Sequence, residues 1–575
     1  MKKLLLTLIL SIYTLHSYSQ YTYDREYGSI NNGPINPVPS TIGDIKTATN
    51  EYYYAYGREI HVANTNNNTT TLFYAFPITT PLPSPNYNSV IISDMKFDYA
   101  GNLIVYARTH NASIGLGNVY SSVPIPHYLS GYTIIAKISA EGKLIWLTYF
   151  HDLLQHRNNL TIDKNNNIYV LTLRPKTEVL SPTYFQGTAN LNSLADKHEV
   201  ISKLSPSGNH LWSTFYHEDE SKIQSIQAAD DGLYVYGDHL GANANSNYFG
   251  TANSYQEYAT GYVYNQNDNT NAFLAKFNFN GTRAWSTYFG KQVAKTPITF
   301  GIYPRFLTTI GNDAYILTLH KNNNSVINIA TNNTYKSQPI FNEINYSLTK
   351  FNGNGTRSWS TYLYTGNTIF KKSQLEIMVT GTINDTISNL NSLVTNNAYQ
   401  SNHGGKEDVY KAIFPIDGKS LTYGSFYGFN GKDDGFIIPT NNGFYVIGST
   451  INNPTNITNF SSFNQNFNAQ NALGYYGDFY GYFISKKLDL KKSEISLNWT
   501  IYPNPTSDNL NIATQEVLSD ETKLEVYDIN GRKIIVTKIS DPNHNTINVS
   551  SLTTGVYFLK IINETYNETI KFIKK

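Results

Sequence analysis

The sequence predicts an all-β protein, a run of four-stranded antiparallel units followed by a small β domain. Three observations predict it. The phrase "WSTYF" at 285–289 recurs as "WLTYF" (146–150), "WSTFY" (212–216) and "WSTYL" (359–363), and takes four of the chain's five tryptophans. The composition is that of strands and turns: 47 Tyr and 28 Phe stand against 3 Met, with Asn, Thr and Ser runs between the aromatic stretches. After "SEISLNW" the repeat stops and a differently spaced alternation fills the C-terminus.

In chain order, residues 1–19 read as a signal peptide. Lys2 and Lys3 give the positive start, Leu4 to Leu10 the apolar stretch, and Ser17 and Ser19 the small residues before a cut ahead of Gln20. That apolar run is too short to span a bilayer and no later one is longer, so no transmembrane segment is expected in the mature chain. Cys is absent, which excludes disulfides, a lipid-modified cysteine and thiolate metal sites. An exported chain without disulfides must rely on a sizeable core, and 575 residues can supply one. Charged residues make up 15% and the net charge is +1, so no basic excess suggests a nucleic-acid partner.

The repeat follows. The four Trp positions are 66, 73 and 74 residues apart, and "LTYGSFYG" (421–428) puts Tyr423 in a fifth slot. A glycine stands four or five residues ahead of each: Gly142, Gly208, Gly281, Gly355 and Gly418. Before each glycine lies an apolar alternation around a lysine, "IIAKIS", "VISKLS", "FLAKFN", "SLTKFN" and "VYKAIF". Strand, Gly turn, strand is a hairpin signal. A second hairpin precedes it in each unit, as in "MKFDYAGNLIVYART" (95–109), "LTIDKNNNIYVLTLR" (160–174) and "FIIPTNNGFYVIGST" (436–450). Residues 373–388 hold a poorer copy and 45–76 an earlier one. Each unit thus has strands A to D. Tandem four-stranded meanders mark a β-propeller. The count is seven blades, at 42–76, 91–150, 158–217, 225–290, 305–363, 373–428 and 434–488, within a domain of 20–490. In strand D the alternation sets Trp285, Thr287 and Phe289 on one face and Ser286 and Tyr288 on the other. A repeated aromatic of this kind is expected to pack blade on blade rather than form a ring of ligand platforms.

The stretch "TNNAYQSNHGGKEDVYKAIFPIDGKSLTYGSFYG" (395–428) resembles the bacterial SBBP β-propeller repeat, with "NSYQ" (253–256) and "NTYKS" (333–337) as echoes of "NAYQ". The resemblance covers about residues 90 to 490. It implies the propeller fold and lends no catalytic residues.

The last segment, 496–575, alternates like a small Ig-like β-sandwich with an Asn530–Gly531 turn. It resembles the type A C-terminal sorting domain of the type IX secretion system. The matching residues are Tyr502, Pro503, Asn504, Pro505, Asp528, Gly531, Gly555, Tyr557, Lys571, Lys574 and Lys575. The resemblance implies a Bacteroidota-type bacterium, passage through the periplasm, and the type IX machinery as partner. It also implies removal of the tail, after which the chain is secreted or joined to surface lipopolysaccharide.

Chemistry-bearing motifs are sparse. "HDLLQH" (His151, His156) and "HED" (His217, Glu218, Asp219) lack the spacing of a recognised zinc motif, and local hydrogen bonding is expected of them. "DKNNN" (163–167) and "NQNDNT" (265–270) lack the bidentate Glu of a calcium loop and are expected to be turns. No catalytic, cofactor or metal residue is nominated. The B–C links are long, about 175–198, 239–270, 321–344, 389–407 and 451–478, and lie at one end of every blade. They carry exposed-looking aromatics, among them Tyr184, Phe185, Phe249 and Tyr258, with Tyr248, Tyr262 and Tyr264 as candidate anchors for a glycan or protein ligand. The same loops serve equally well as spacers that cover blade edges. The expected function is non-catalytic binding or adhesion outside the cell. The alternatives are a glycan-degrading propeller enzyme and a structural surface-layer component.

Overall fold

The computed structural model describes, with short interior exceptions, residues 43–451, 478–485 and 500–575, together with Leu8 and Ile9. The signal-peptide cleavage site, Tyr262, Tyr264, His156, Asp219 and residues 265–269 lie outside the described residues. The chain divides into two compact units, Met1–Ser485 and Lys486–Lys575.

In the first unit the described residues form seven successive antiparallel groups, called sheets I to VII. Sheet I is Gly43–Lys46, Glu51–Tyr56, Glu59–Asn64 and Thr69–Ala75. Sheet II is Val90–Phe97, Leu103–Thr109, Tyr132–Ile138 and Leu144–Phe150. Sheet III is Leu160–Ile162, Ile168–Pro175, Lys197–Leu204 and His210–Phe215, with Asp152–Leu153 also paired to its second strand. Sheet IV is Ser221–Ala228, Leu233–Leu240, Thr270–Phe277 and Arg283–Phe289. Sheet V is Phe300–Ile310, Asp313–Asn322, Ile344–Phe351 and Arg357–Leu363. Sheet VI is Thr368–Lys371, Glu376–Asn384, Glu407–Pro415 and Tyr423–Tyr427. Sheet VII is Lys432–Thr440, Gly443–Ile451 and Asp478–Ser485, and Leu8–Ile9 pairs with Phe483 and Tyr482 at its edge. Single parallel bridges, Thr270 to Gly301 and Glu407 to Lys432, join IV to V and VI to VII.

Within each sheet the strands follow in chain order, A beside B beside C beside D. The first strands of successive sheets neighbour one another from I through to VII. Meanders fanned side by side about their first strands make the unit β-propeller-like. Some element boundaries move. The poor sixth copy starts at Thr368, ahead of the expected 373; its first strand, "TIFK", is only four residues long, too short to show an alternation.

The recurring pentapeptide is the joint between sheets. Trp146, Trp212, Trp285 and Trp359 each lie on the Gly turn of the following sheet. Their indole N–H groups donate to Pro206 O (3.2 Å), Phe279 O (3.1 Å), Gly353 O (2.9 Å) and Ile416 O (2.9 Å). The turn glycines facing these rings, Gly208, Gly281, Gly355 and Gly418, all have φ between 68° and 93°. Such a φ suits glycine, and a side chain there would also meet the indole. A lysine completes the joint. Lys276 donates to the same Gly353 carbonyl (3.1 Å) and pairs with Asp231 in its own A–B turn (2.8 Å). Lys137 pairs with Asp98 and Lys350 with Asp313 in the same way (2.8 and 2.9 Å).

Sheet VI departs from the expected alignment. Lys137, Lys203, Lys276 and Lys350 face the Trp across the ladder, whereas Tyr423 faces Ile413, and Lys411 faces Ser425. Lys411 of "VYKAIF" stands seven residues ahead of Gly418, whereas the other lysines stand five ahead of their turn glycines, so it lies two positions from their slot. Lys411 sits among Tyr423, Tyr427 and Phe444, and burial holds its ammonium well below the usual lysine range.

The second unit is a three-stranded sheet (Thr500–Tyr502, Asn509–Ala513, Thr546–Asn548) and a four-stranded sheet (Lys523–Asp528, Lys533–Lys538, Gly555–Ile562, Asn567–Lys574). They share a core that includes Leu510, Ile547, Val526, Leu559 and Phe572.

Candidate functional site

An outermost strand exposes a row of unpaired N–H and C=O groups, and such an edge must be covered. Here the B–C links cover it. In sheet IV the link runs back along strand D, where Thr251 N donates to Ser286 O (2.9 Å) and Tyr288 N donates to Gln256 O (2.9 Å). The Thr of the pentapeptide fastens the link. Thr287 Oγ1 accepts from Gln256 N (2.8 Å) and donates to Gln256 O (3.2 Å). The same two-way bond joins Thr148 to Ser121, Thr214 to Gln186, Thr361 to Lys336 and Ser425 to Gln400. Much of the link length is therefore edge cover rather than free loop.

This changes the reading of several aromatics. Phe249 is fully buried and stacked on Phe273 at 3.9 Å, a correction to its exposed appearance in the sequence. Tyr248 is packed against the sheet IV core; its hydroxyl donates to Gln186 Oε1 and accepts from His217 N (3.2 Å). Tyr184 and Tyr258 are exposed, at 54% and 49%.

A cleft of roughly 540 Å³ opens where the links of sheets V and VI meet. One wall is the link segment 335–340; Tyr364, which follows strand D of sheet V, and Thr386 and Ile387 from the link of sheet VI complete it. Among the described residues lining it there is no carboxylate. The Lys336 ammonium lies 5.4 Å from the centre of the Tyr335 ring and 5.5 Å from that of Tyr364. Tyr335 is held from behind by Phe414 at 5.3 Å, and burial pushes its hydroxyl up to about 12. Sequence reading passed over this site. "NTYKS" was visible as an echo of a repeat, but nothing local showed that Tyr364 and Ile387 would face it.

Several carboxylates among the described residues are occupied or enclosed. Asp94 accepts from Met95 N (2.9 Å) and from Leu160 N of the next sheet (3.2 Å); burial raises it to about 6. Asp408 and Asp433 flank Gly428, and both are 0% exposed. Burial lifts Asp408 to about 6, but no substrate can reach a carboxyl so enclosed. In the segment joining sheets III and IV, His217 pairs with Glu199 of sheet III (2.7 Å) and Glu218 pairs with His239 of sheet IV (3.3 Å). Asp163 of "DKNNN" accepts from Asn165 N and Asn167 N (both 2.9 Å) and from Tyr169 (2.9 Å), as a turn-forming aspartate does.

The sorting residues gather at one end of the four-stranded sheet, where Asp528 pairs with Tyr557 and Gly555 with Lys574. Asn504 Nδ2 donates to Lys571 O (3.2 Å), and Asn504 Oδ1 accepts from Ile573 N (2.9 Å). Lys575 N donates to Thr506 O (2.8 Å) and Thr506 N donates to Ile573 O (2.9 Å), so the "YPNP" segment is fastened to the last strand. Tyr502, Pro503, Pro505, Lys571 and Lys575 are exposed; Lys574 is buried. Asp528 caps the Gly531 turn, accepting from Asn530 N and Arg532 N (2.9 Å each), and those bonds hold its carboxyl below the usual range. Tyr557 donates to Thr553 O (3.0 Å) and stacks on Phe572, while Gly555 opens that strand.

Residues 500–575 match the family model of the secretion system C-terminal sorting domain. No curated protein matches the chain. Among solved structures, an ulvan lyase described as a new family of polysaccharide lyase is 11% identical, with 78% of this chain and 93% of that chain covered and a TM-score of 0.37. The Dos1 propeller is 9% identical, with 74% and 85% covered and a TM-score of 0.34. The WD40 domain of SCAP from fission yeast is 8% identical, with 78% and 83% covered and a TM-score of 0.32. Superpositions this loose fix neither activity nor ligand. The tail marks the chain for type IX export, to the cell surface or beyond it. Among the described residues no helix is long and apolar enough to cross a membrane.

Proposed function

We propose that this chain is an exported, non-catalytic binding protein built as a closed seven-bladed propeller of the SBBP type, displayed by a bacterium of the Bacteroidota kind. The single observation that carries the binding reading is the cleft between the links of sheets V and VI. It presents two tyrosine rings and a lysine, without a carboxylate in its described lining. Aromatic faces beside hydrogen-bonding groups suit sugars, whereas hydrolysis or elimination on a glycan needs an exposed acid or base. Asp94, Asp163, Asp408 and Asp433 are enclosed or bonded to backbone. Tyr262 and Tyr264 keep their proposed role as anchors on the link of sheet IV. Tyr248 has its hydroxyl bonded to Gln186 and its ring packed on the core. After loss of the tail the protein is joined to surface lipopolysaccharide or released.

The test is a glycan and matrix-protein array probed with the purified chain from residue 20 and with its Tyr364→Ala variant. At least one ligand class should bind, and the variant should lose it while keeping its melting temperature. Equal binding by both proteins would place the site elsewhere.

A further inference from the structure

The five fastened link positions are occupied by Ser121, Gln186, Gln256, Lys336 and Gln400, and the backbone treats them alike. Their side chains do not behave alike. In four copies the side chain turns back onto the carbonyl two residues ahead: Ser121 on Val123 O (2.7 Å), Gln186 on Thr188 O (3.0 Å), Gln256 on Tyr258 O (2.9 Å) and Gln400 on Asn402 O (2.9 Å). Those four satisfy the link itself. Lys336 breaks the pattern among the described copies. It carries a cation where the others carry a self-bonded neutral group, and its ammonium lies over two rings inside the one copy that borders the cleft. Stabilising the link does not explain this departure, because glutamine does that in three sheets.

We propose that the cleft takes an acidic carbohydrate, with its sulfate or carboxylate group on the Lys336 ammonium and a sugar face on Tyr364. This rests on the binding reading above and names the ligand class of that site. A cation held between aromatic rings, with no carboxylate in the described lining, attracts an anion without first having to give up an ion pair. A peptide strand is the poorer occupant. Strand addition needs open backbone groups, and Lys336 N and O are already bonded to Thr361 and Tyr362. Gln338 and Thr386, both exposed at the cleft, offer amide and hydroxyl groups to sugar hydroxyls.

The experiment titrates the full chain from residue 20 with dextran sulfate, polygalacturonate and neutral dextran, alongside Lys336→Gln and Lys336→Arg. Lys336→Gln installs the residue of the sister copies, so its melting temperature should stay within a degree or so of the parent. The parent should bind at least one acidic polymer, more weakly as salt rises, and neutral dextran much less. Lys336→Gln should weaken acidic binding by roughly tenfold or more, and Lys336→Arg by only a few-fold. Which acidic polymer binds distinguishes sulfate from carboxylate. The proposal is overturned if Lys336→Gln binds like the parent, if neutral dextran binds as well as the acidic polymers, or if neither acidic polymer binds. In the last two cases, a neutral ligand lost in Tyr364→Ala would leave the binding reading standing; no ligand of any kind would remove both.

Discussion

A chain that stops before residue 500 should fold its first unit and accumulate in the periplasm instead of reaching the surface. The sorting match covers 500–575 and falls within the second compact unit. That unit has its own core, and among the described residues the first unit's sheets draw no strand from it. The truncation therefore removes the export signal without opening a sheet. Cell fractionation with an antibody to the first unit reads the outcome. Export should fall to background, and the retained protein should melt within a few degrees of the full-length first unit. Surface display of the truncated chain would remove the sorting assignment. Retained protein that is degraded or aggregated would show that the first unit depends on the tail.

The second large effect is at a sheet joint. Trp359→Ala should destabilise the first unit by about 3–5 kcal/mol, the usual range for a buried large aromatic. The residue is 6% exposed, its indole donates to Ile416 O, and its ring covers Gly418. Gly418→Ala should also destabilise, for two separable reasons. Its φ of 68° disfavours any side chain, by about 1–2 kcal/mol, and a Cβ would stand 2.7 Å from the Trp359 ring. The two sites share that contact, so the double variant should cost less than the sum of the singles, by about 1 kcal/mol or more. Urea unfolding of the four proteins measures this. Strict additivity would mean that the ring and the turn do not bear on one another, and the joint would lose its explanation.

These joints were the most legible part of the chain. Four Trp phrases and five Gly turns are written in the sequence because each sheet must repeat the same contact with its successor. Alternation within "WSTYF" placed the tryptophan against a neighbouring sheet, but could not say that its partner was the glycine of the next turn, some seventy residues on. Sheet VI was misaligned because its lysine stands two residues farther from the turn glycine, a shift that leaves the strand face unchanged, so Lys411 still looked like its sisters. The role of Thr287 was not legible at all. A hydroxyl in a strand is ordinary, and only the path of the link along strand D shows what it holds. Phe249 was misjudged for the same reason: Asn-rich flanks look like open loop, while the edge of a sheet demands cover. Of the cleft, only Tyr335, Lys336 and Ser337 belonged to a visible motif. Tyr364 and Ile387 come from other segments and meet them through the stacking of V on VI.

The reading of this chain as a binder and not a degrading enzyme turns on what happens to a bound glycan. The direct measurement is the length of that polymer, followed by size-exclusion chromatography and by the appearance of new reducing or unsaturated ends, during long incubation with a stoichiometric amount of the chain. The account predicts retention of the polymer at its starting length while it remains bound. Progressive shortening, abolished in a variant of any residue lining the cleft, would contradict it.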